Sequence, residues 1–213
     1  IHDDLPCMDN DKMRRGKPST HIKFGAASAV LAGSSLLTLA FEIIADEKYI
    51  LNSKMNNEII NFLAICSGHT GIAGGQELDL KFENKDKKIT QTIDMQKKKT
   101  GKLFNFCLYA VGVIAKKSKK EINDLSNLGE EIGLLFQLAD DFLDKKGSKR
   151  LLGKPVKKDN KKGKSTLLNL MGEKKAYLYA NNLKKKILLK LKKHGKKAKE
   201  LTNTIEFILD RKF

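Results

Sequence analysis

Two dense groups of carboxylates stand out: Asp3, Asp4 and Asp9 in the run DDLPCMD, and Asp140, Asp141 and Asp144 in the run DDFLD. On a helix, Asp140 and Asp144 lie one turn apart on one face, and Leu135, Leu138 and Phe142 mark that helix as otherwise buried. Two carboxylates about 4 Å apart repel by roughly 4 kcal/mol at an effective dielectric near 20. They need protons, arginines or metal cations to stay ionised together. A hard divalent ion suits that need, because Mg²⁺ takes one or two carboxylates and completes its shell with water and substrate phosphates. The plain alternative is a pair of solvated acidic helix ends.

Basic and hydroxyl side chains follow the first acidic group at once, in Arg14-Arg15-Gly16-Lys17-Pro18-Ser19-Thr20. Arginine forks match phosphate oxygens, so this run beside a metal-binding acid patch reads as a diphosphate clamp held by a turn at Gly16 and Pro18. Lys99-Thr100-Gly101, Gly153-Lys154 and Gly163-Lys164-Ser165-Thr166 offer further anion contacts, with a solvated linker as the alternative for Lys154 and Lys164. The last run is not a P-loop, because GxxxxGK[ST] requires glycine where Lys158 stands, and no strand precedes it. His2 and His21 have no metal-ligand companion at zinc spacing, and His2 reads as a hydrogen-bonding neighbour of the acids. No Ser/His/Asp order or nucleophile elbow is present.

The elements that carry these residues read as helices throughout, an all-α chain. Only three prolines occur, and apolar residues recur at three- and four-residue spacing. Helices are expected over 24–45, 57–71, 98–116, 121–146, 165–170, 174–193 and 197–211, while period-two alternation is almost absent, so sheets are not expected. The span 24–45 is 22 residues long with Glu42 as its single charge, enough for a membrane helix. Its small residues Gly25, Ser28, Gly33, Ser34, Ser35 and Thr38 favour a central helix packed within a bundle instead. No membrane-spanning segment is therefore expected.

At 213 residues the chain has room for one domain, and its 40% apolar share is enough to fill a core. Three well-separated cysteines, Cys7, Cys66 and Cys107, give no disulfide framework; they read as small core residues in a reducing, cytoplasmic setting. Charge is segregated: residues 1–80 carry 7 basic and 10 acidic side chains, whereas residues 81–213 carry the other 35 and 15. Such an excess attracts polyanions. Only four of the basic residues are arginine, however, so the lysine runs read as solvated helix faces rather than specific nucleic-acid readout. The stretch 183–199, with nine lysines, leaves open a basic helical protein that binds nucleic acid or an anionic membrane surface.

The run IHDDLPCMDNDKMRRGKPSTHIKFG resembles the first aspartate-rich region of trans-isoprenyl diphosphate synthases, the family of farnesyl and geranylgeranyl diphosphate synthases, and GLLFQLADDFLD resembles the second. GGQELDL at 74–80, KKTG at 98–101 and LLGKPVKKDNKKGKST at 151–166 resemble further family signatures in the same order. The resemblance implies a single polyprenyl synthetase domain over 1–213, an all-helical bundle whose two aspartate regions face a deep central cavity. It also implies three Mg²⁺ ions on Asp3, Asp9 and Asp140, supported by Asp4, Asp141 and Asp144. Arg14, Lys99, Thr100, Gln137, Lys154 and Lys164 would contact the allylic diphosphate, and Arg15 the isopentenyl diphosphate. The implied reaction joins these two substrates into a short-chain product of 15 to 20 carbons, in a homodimer. A non-catalytic or cyclase relative of the same fold is the alternative, although cyclases usually lack the paired basic clamps. The family's first helices have no counterpart before Ile1, so the resemblance further implies a shortened chain with little or no turnover.

Overall fold

The computed structural model describes residues 1–46, 48, 52–85, 87–146 and 166–210. They are almost entirely helical, as the apolar period predicts. A 3₁₀ turn, His2–Asp4, is followed by a minimal hairpin of β1 (Met13–Arg14) and β2 (Lys17–Pro18). The helices are α1 (Thr20–Phe24), α2 (Ala26–Ala45), α3 (Ser53–Ser67), α4 (Ile72–Phe82), α5 (Ile89–Gln96), α6 (Lys102–Ile114), α7 (Lys119–Lys146), α8 (Leu167–Met171), α9 (Glu173–Lys192) and α10 (Lys199–Ile208). A single π turn, Lys97–Gly101, joins α5 to α6, and a 3₁₀ turn, Gly195–Ala198, precedes α10. By its internal contacts the chain divides into two compact units. One comprises Ile1–Ile60, and the other Asn61–Lys146 with the described C-terminal helices.

In the first unit the expected helix over 24–45 is interrupted. Gly25, at φ 88°, ends α1 and starts α2, a backbone state that other residues adopt only under strain. Contrary to the expectation of a packed central helix, α2 buries only Ala29. Val30, Leu31, Leu36, Leu37, Leu39 and Ile43 are exposed, Leu31 by 67%. Apolar composition says that a helix favours apolar surroundings, not that the same unit supplies them. By length and composition alone, Ala26–Ala45, with mean hydropathy 1.7, would also suffice to cross a membrane.

The second unit is built on α7. Its start is fixed by a capping box: Ser118 N–H donates to Glu121 Oε2 at 3.0 Å, and Glu121 N–H donates to Ser118 Oγ at 3.3 Å. From there Leu128, Ile132, Leu135, Leu138 and Phe142 keep one face in the core, each fully buried side chain contributing about 1.5–3 kcal/mol. Leu167 and Leu168 of α8, Ala176, Ala180, Ile187 and Leu191 of α9, and Ile205 and Ile208 of α10 complete that core. On the opposite flank α3, α6 and α7 share a polar network. Asn105 Nδ2 and Lys102 Nζ donate to Glu130 Oε1 at 3.2 and 2.6 Å, and Ser126 Oγ donates to Asn105 Oδ1 at 3.0 Å. Cys66 Sγ also points at Asn105 Oδ1, 3.9 Å away, and burial pushes its thiol up to about 11. Cys66 is thus the small core residue expected, whereas Cys7 and Cys107 are exposed.

Several lysines read as solvated are in fact cross-braces. Lys186 and Lys190 of α9 reach Glu131 of α7 at 2.9 and 2.8 Å, and Lys184 reaches the Glu206 carbonyl. Burial raises the Glu131 carboxyl, but the hydrogen bonds and charges of Lys190 and Lys186 outweigh it and hold the group below its ordinary 4.5. A depressed folded value means that this brace stabilises fully above pH 4.5 and fades as pH falls through the lower folded value. Glu131→Gln is therefore expected to lower Tm by about 2–4 °C at pH 6, corresponding to about 1 kcal/mol for a part-exposed pair. The gap to wild type should narrow in calorimetric scans as pH falls below 4.5. A gap independent of pH would show that the ionised carboxylate is not its source.

Candidate diphosphate and metal site

In the first unit the acidic run forms a 3₁₀ turn and loop, not an α-helix. Leu5 N–H donates to His2 O at 3.1 Å, and Asp9 N–H returns to Asp3 O at 2.8 Å, tying the two ends of DDxxxxD together. Asp3 and Asp9 are half-buried and Asp4 is buried. Asp4 Oδ1 accepts from Arg14 Nη1 at 3.1 Å, so the arginine expected on a diphosphate is engaged with the middle carboxylate. The turn expected at Gly16 and Pro18 is made by Arg15 and Gly16, at φ 50° and 75°, while Pro18 belongs to β2, and both side-chain positions 14 and 15 are exposed. His2 does not bond the acids. Its Nε2 lies 3.0 Å from Val30 O on α2.

In the second unit Asp140 and Asp144 are half-buried on α7 and Asp141 is buried. Asp141 accepts from two amides, Gln137 Nε2 at 3.0 Å and Gln96 Nε2 at 3.2 Å. Gln137 in turn accepts from Thr100 Oγ1 at 2.8 Å. Three residues expected in one site, Thr100, Gln137 and Asp141, are therefore linked by hydrogen bonds. Lys99 Nζ lies 2.6 Å from Asp79 Oδ2 in a pair only 18% and 9% exposed. Both Lys99 and Thr100 sit on the π turn. Such insertions widen a helix and re-aim side chains, often at functional sites.

The π turn is held close by α4. A Cβ at Gly75 would collide with the backbone N and Cα of Lys99 and lie 2.7 Å from Lys98 C, so only glycine allows this approach. Asp79, one turn beyond Gly75, is the partner that sequence reading did not find. Its link to Lys99 spans 20 residues, and that of Gln96 to Asp141 spans 45, beyond any local period. The signal available was GGQELDL, which holds two carboxylates, Glu77 and Asp79, with nothing local to single out Asp79. Lys154 and Lys164 lie outside the described residues.

The donor set fits magnesium bound with a diphosphate. It offers carboxylate oxygens and cationic neighbours, with the softer Cys7 and Met8 inside the first run. Among the described residues, no three ligating side chains come together as a ready cage. The open cleft of about 690 Å³ between α9 and α10, lined by Leu188, Leu189, Lys192 and Lys199 among others, contains none of these aspartates.

The described residues define an all-α class of protein that carries two acidic runs, each with basic residues nearby in the sequence or the fold. The chain belongs to the polyprenyl synthetase family, whose sequence model matches residues 1–207. It is 40% identical over 181 residues to the farnesyl diphosphate synthase of Bacillus subtilis (strain 168), covering 82% of this chain and 60% of that protein. To geranylgeranyl pyrophosphate synthase 4 of Arabidopsis thaliana it is 39% identical, covering 87% of this chain and 50% of the relative. The solved geranyltransferase of Helicobacter pylori, complexed with magnesium and isoprenyl diphosphate, superposes with a TM-score of 0.85 at 33% identity, covering 98% of this chain and 68% of that one. The chain thus spans about 60% of the length of curated relatives such as the Bacillus protein.

Proposed function

We propose that the chain carries the diphosphate-ionising and prenyl-transferring machinery of a short-chain isoprenyl diphosphate synthase, making 15- to 20-carbon products in a cytoplasmic homodimer. The single observation that supports it most is the linked set Thr100, Gln137 and Asp141, which fastens a basic π turn to the acidic stretch of α7. Asp3, Asp9, Asp140 and Asp144 would hold up to three magnesium ions. Asp4 and Asp141, engaged with Arg14 and with the two glutamines, would anchor their neighbours instead of coordinating. Bound Mg²⁺ neutralises charge that grows on a departing diphosphate.

The side chains do the remaining work. Lys99, Thr100, Gln137 and Arg14 would take the allylic diphosphate oxygens, with Lys154 and Lys164 as further cations and Arg15 serving the isopentenyl diphosphate. In the reaction the allylic C–O bond breaks, its electron pair leaving with the diphosphate. The isopentenyl double bond then attacks the allylic carbon, and a proton passes to the released diphosphate. Donors fixed before the reaction stabilise the developing charge without reorganising. Lys99 fits this role because the Asp79 contact orients its ammonium in advance.

Titration calorimetry of the chain with dimethylallyl thiolodiphosphate tests the reading. Binding is expected with Mg²⁺ and not with EDTA. Equal binding in both, or none with Mg²⁺, would overturn it.

A further inference from the structure

The element that presents Asp3 and Asp4 is a three-residue turn, His2–Asp4, too short to hold its own shape. Contacts from outside fix it. Arg14 holds Asp4, the Asp9 amide holds the Asp3 carbonyl, and the Asp11 amide holds the Asp4 carbonyl at 3.1 Å. A further contact is made by His2, whose ring lies against α2 with Nε2 3.0 Å from Val30 O. Since a carbonyl oxygen only accepts, Nε2 carries the proton in this contact. The ring fits there because residue 33 has no side chain. A Cβ on Gly33 would fall on Nε2 and Cδ2 of His2 and lie 2.8 Å from Cε1. His2 and Gly33 thus form a knob and a notch, closed by one hydrogen bond, between α2 and the residue preceding the first carboxylate.

We infer that His2, seated in the Gly33 notch of α2, is a positioning residue that sets the Asp3 and Asp9 carboxylates for Mg²⁺ and diphosphate. This rests on the site proposed above. The knob touches neither metal nor substrate; it acts through the backbone of the turn. Removing partners of this outer kind weakens metal sites by about 10–100-fold. The group that would clash at Gly33 is the mobile end of a side chain, not backbone. Gly33→Ala therefore expels the ring while α2 itself still folds.

The test is a double-mutant cycle on the whole 213-residue chain, read by titration calorimetry with Mg²⁺ and inorganic diphosphate, alongside thermal melts. His2→Ala and Gly33→Ala should each weaken binding by about tenfold, with Tm within about 2 °C of wild type. The double variant should be no weaker than either single one, because both remove the same contact. His2→Gln, which keeps an N–H donor of similar reach, should recover most of the affinity. Wild-type affinity in both single variants, or losses that multiply in the double variant, would overturn the latch alone. If wild type itself fails to bind Mg²⁺ with diphosphate, the reading of the acidic site fails, and the latch fails with it.

Discussion

Asp140→Asn is expected to weaken Mg²⁺-dependent binding of an allylic diphosphate analogue by about a hundredfold, close to the 3 kcal/mol of a strong charge-assisted contact. The substitution keeps the size and shape of a half-buried side chain on α7 and removes its charge. Nearby carboxylates cannot compensate. Asp141 is committed to the amides of Gln96 and Gln137, and Asp144 stands a full turn away on the same face. Folding should suffer little, because the side chain keeps its shape and such sites commonly trade stability for activity. Calorimetric titration beside a thermal melt gives both numbers. Unchanged affinity would remove Asp140 from the ligand set, and a fall in Tm of many degrees would recast it as a structural acid.

Gly75→Ala is expected to cost about 3 kcal/mol, the upper end for overpacking, and to lower Tm by about 6–12 °C. The added methyl meets the backbone of Lys98 and Lys99, which has no rotamer in which to yield. Either α4 moves away or the π turn straightens. Both responses separate Lys99 from Asp79 and shift Thr100 from Gln137, so diphosphate affinity should fall along with stability. A urea melt compared with wild type measures the first effect, and Mg²⁺-dependent titration of the folded variant the second. A variant that melts within a degree of wild type would show that the approach of α4 is looser than described.

The helical period located α2, α3, α6, α7, α9 and α10 to within a few residues, because each carries an apolar face repeated over several turns. It passed over α4 and α5. Adjacent Gly74 and Gly75 lower helix propensity at the start of α4, and Thr90 and Thr92 add β-branched residues to α5. Packing against the π turn outweighs both. The π turn itself has no sequence signature, since it depends on a close approach by a helix some 25 residues earlier. Among candidate site residues, motif and resemblance single out the carboxylates and Lys99, Thr100 and Gln137. Asp79 and Gln96 were not, because their partners lie far along the chain. The exposure of α2 was equally hidden: its composition specifies an apolar face without naming what covers it.

That uncovered face governs how the polypeptide behaves in the test tube. Leu31, Leu36, Leu37 and Ile43 are exposed at several points around α2, and exposed apolar surface of this sort drives clumping. Recovery from lysate will follow this one helix more closely than any change in the acid-bearing loops. Mild detergent, or serine in place of Leu31 and Leu36, is the direct remedy for poor yield.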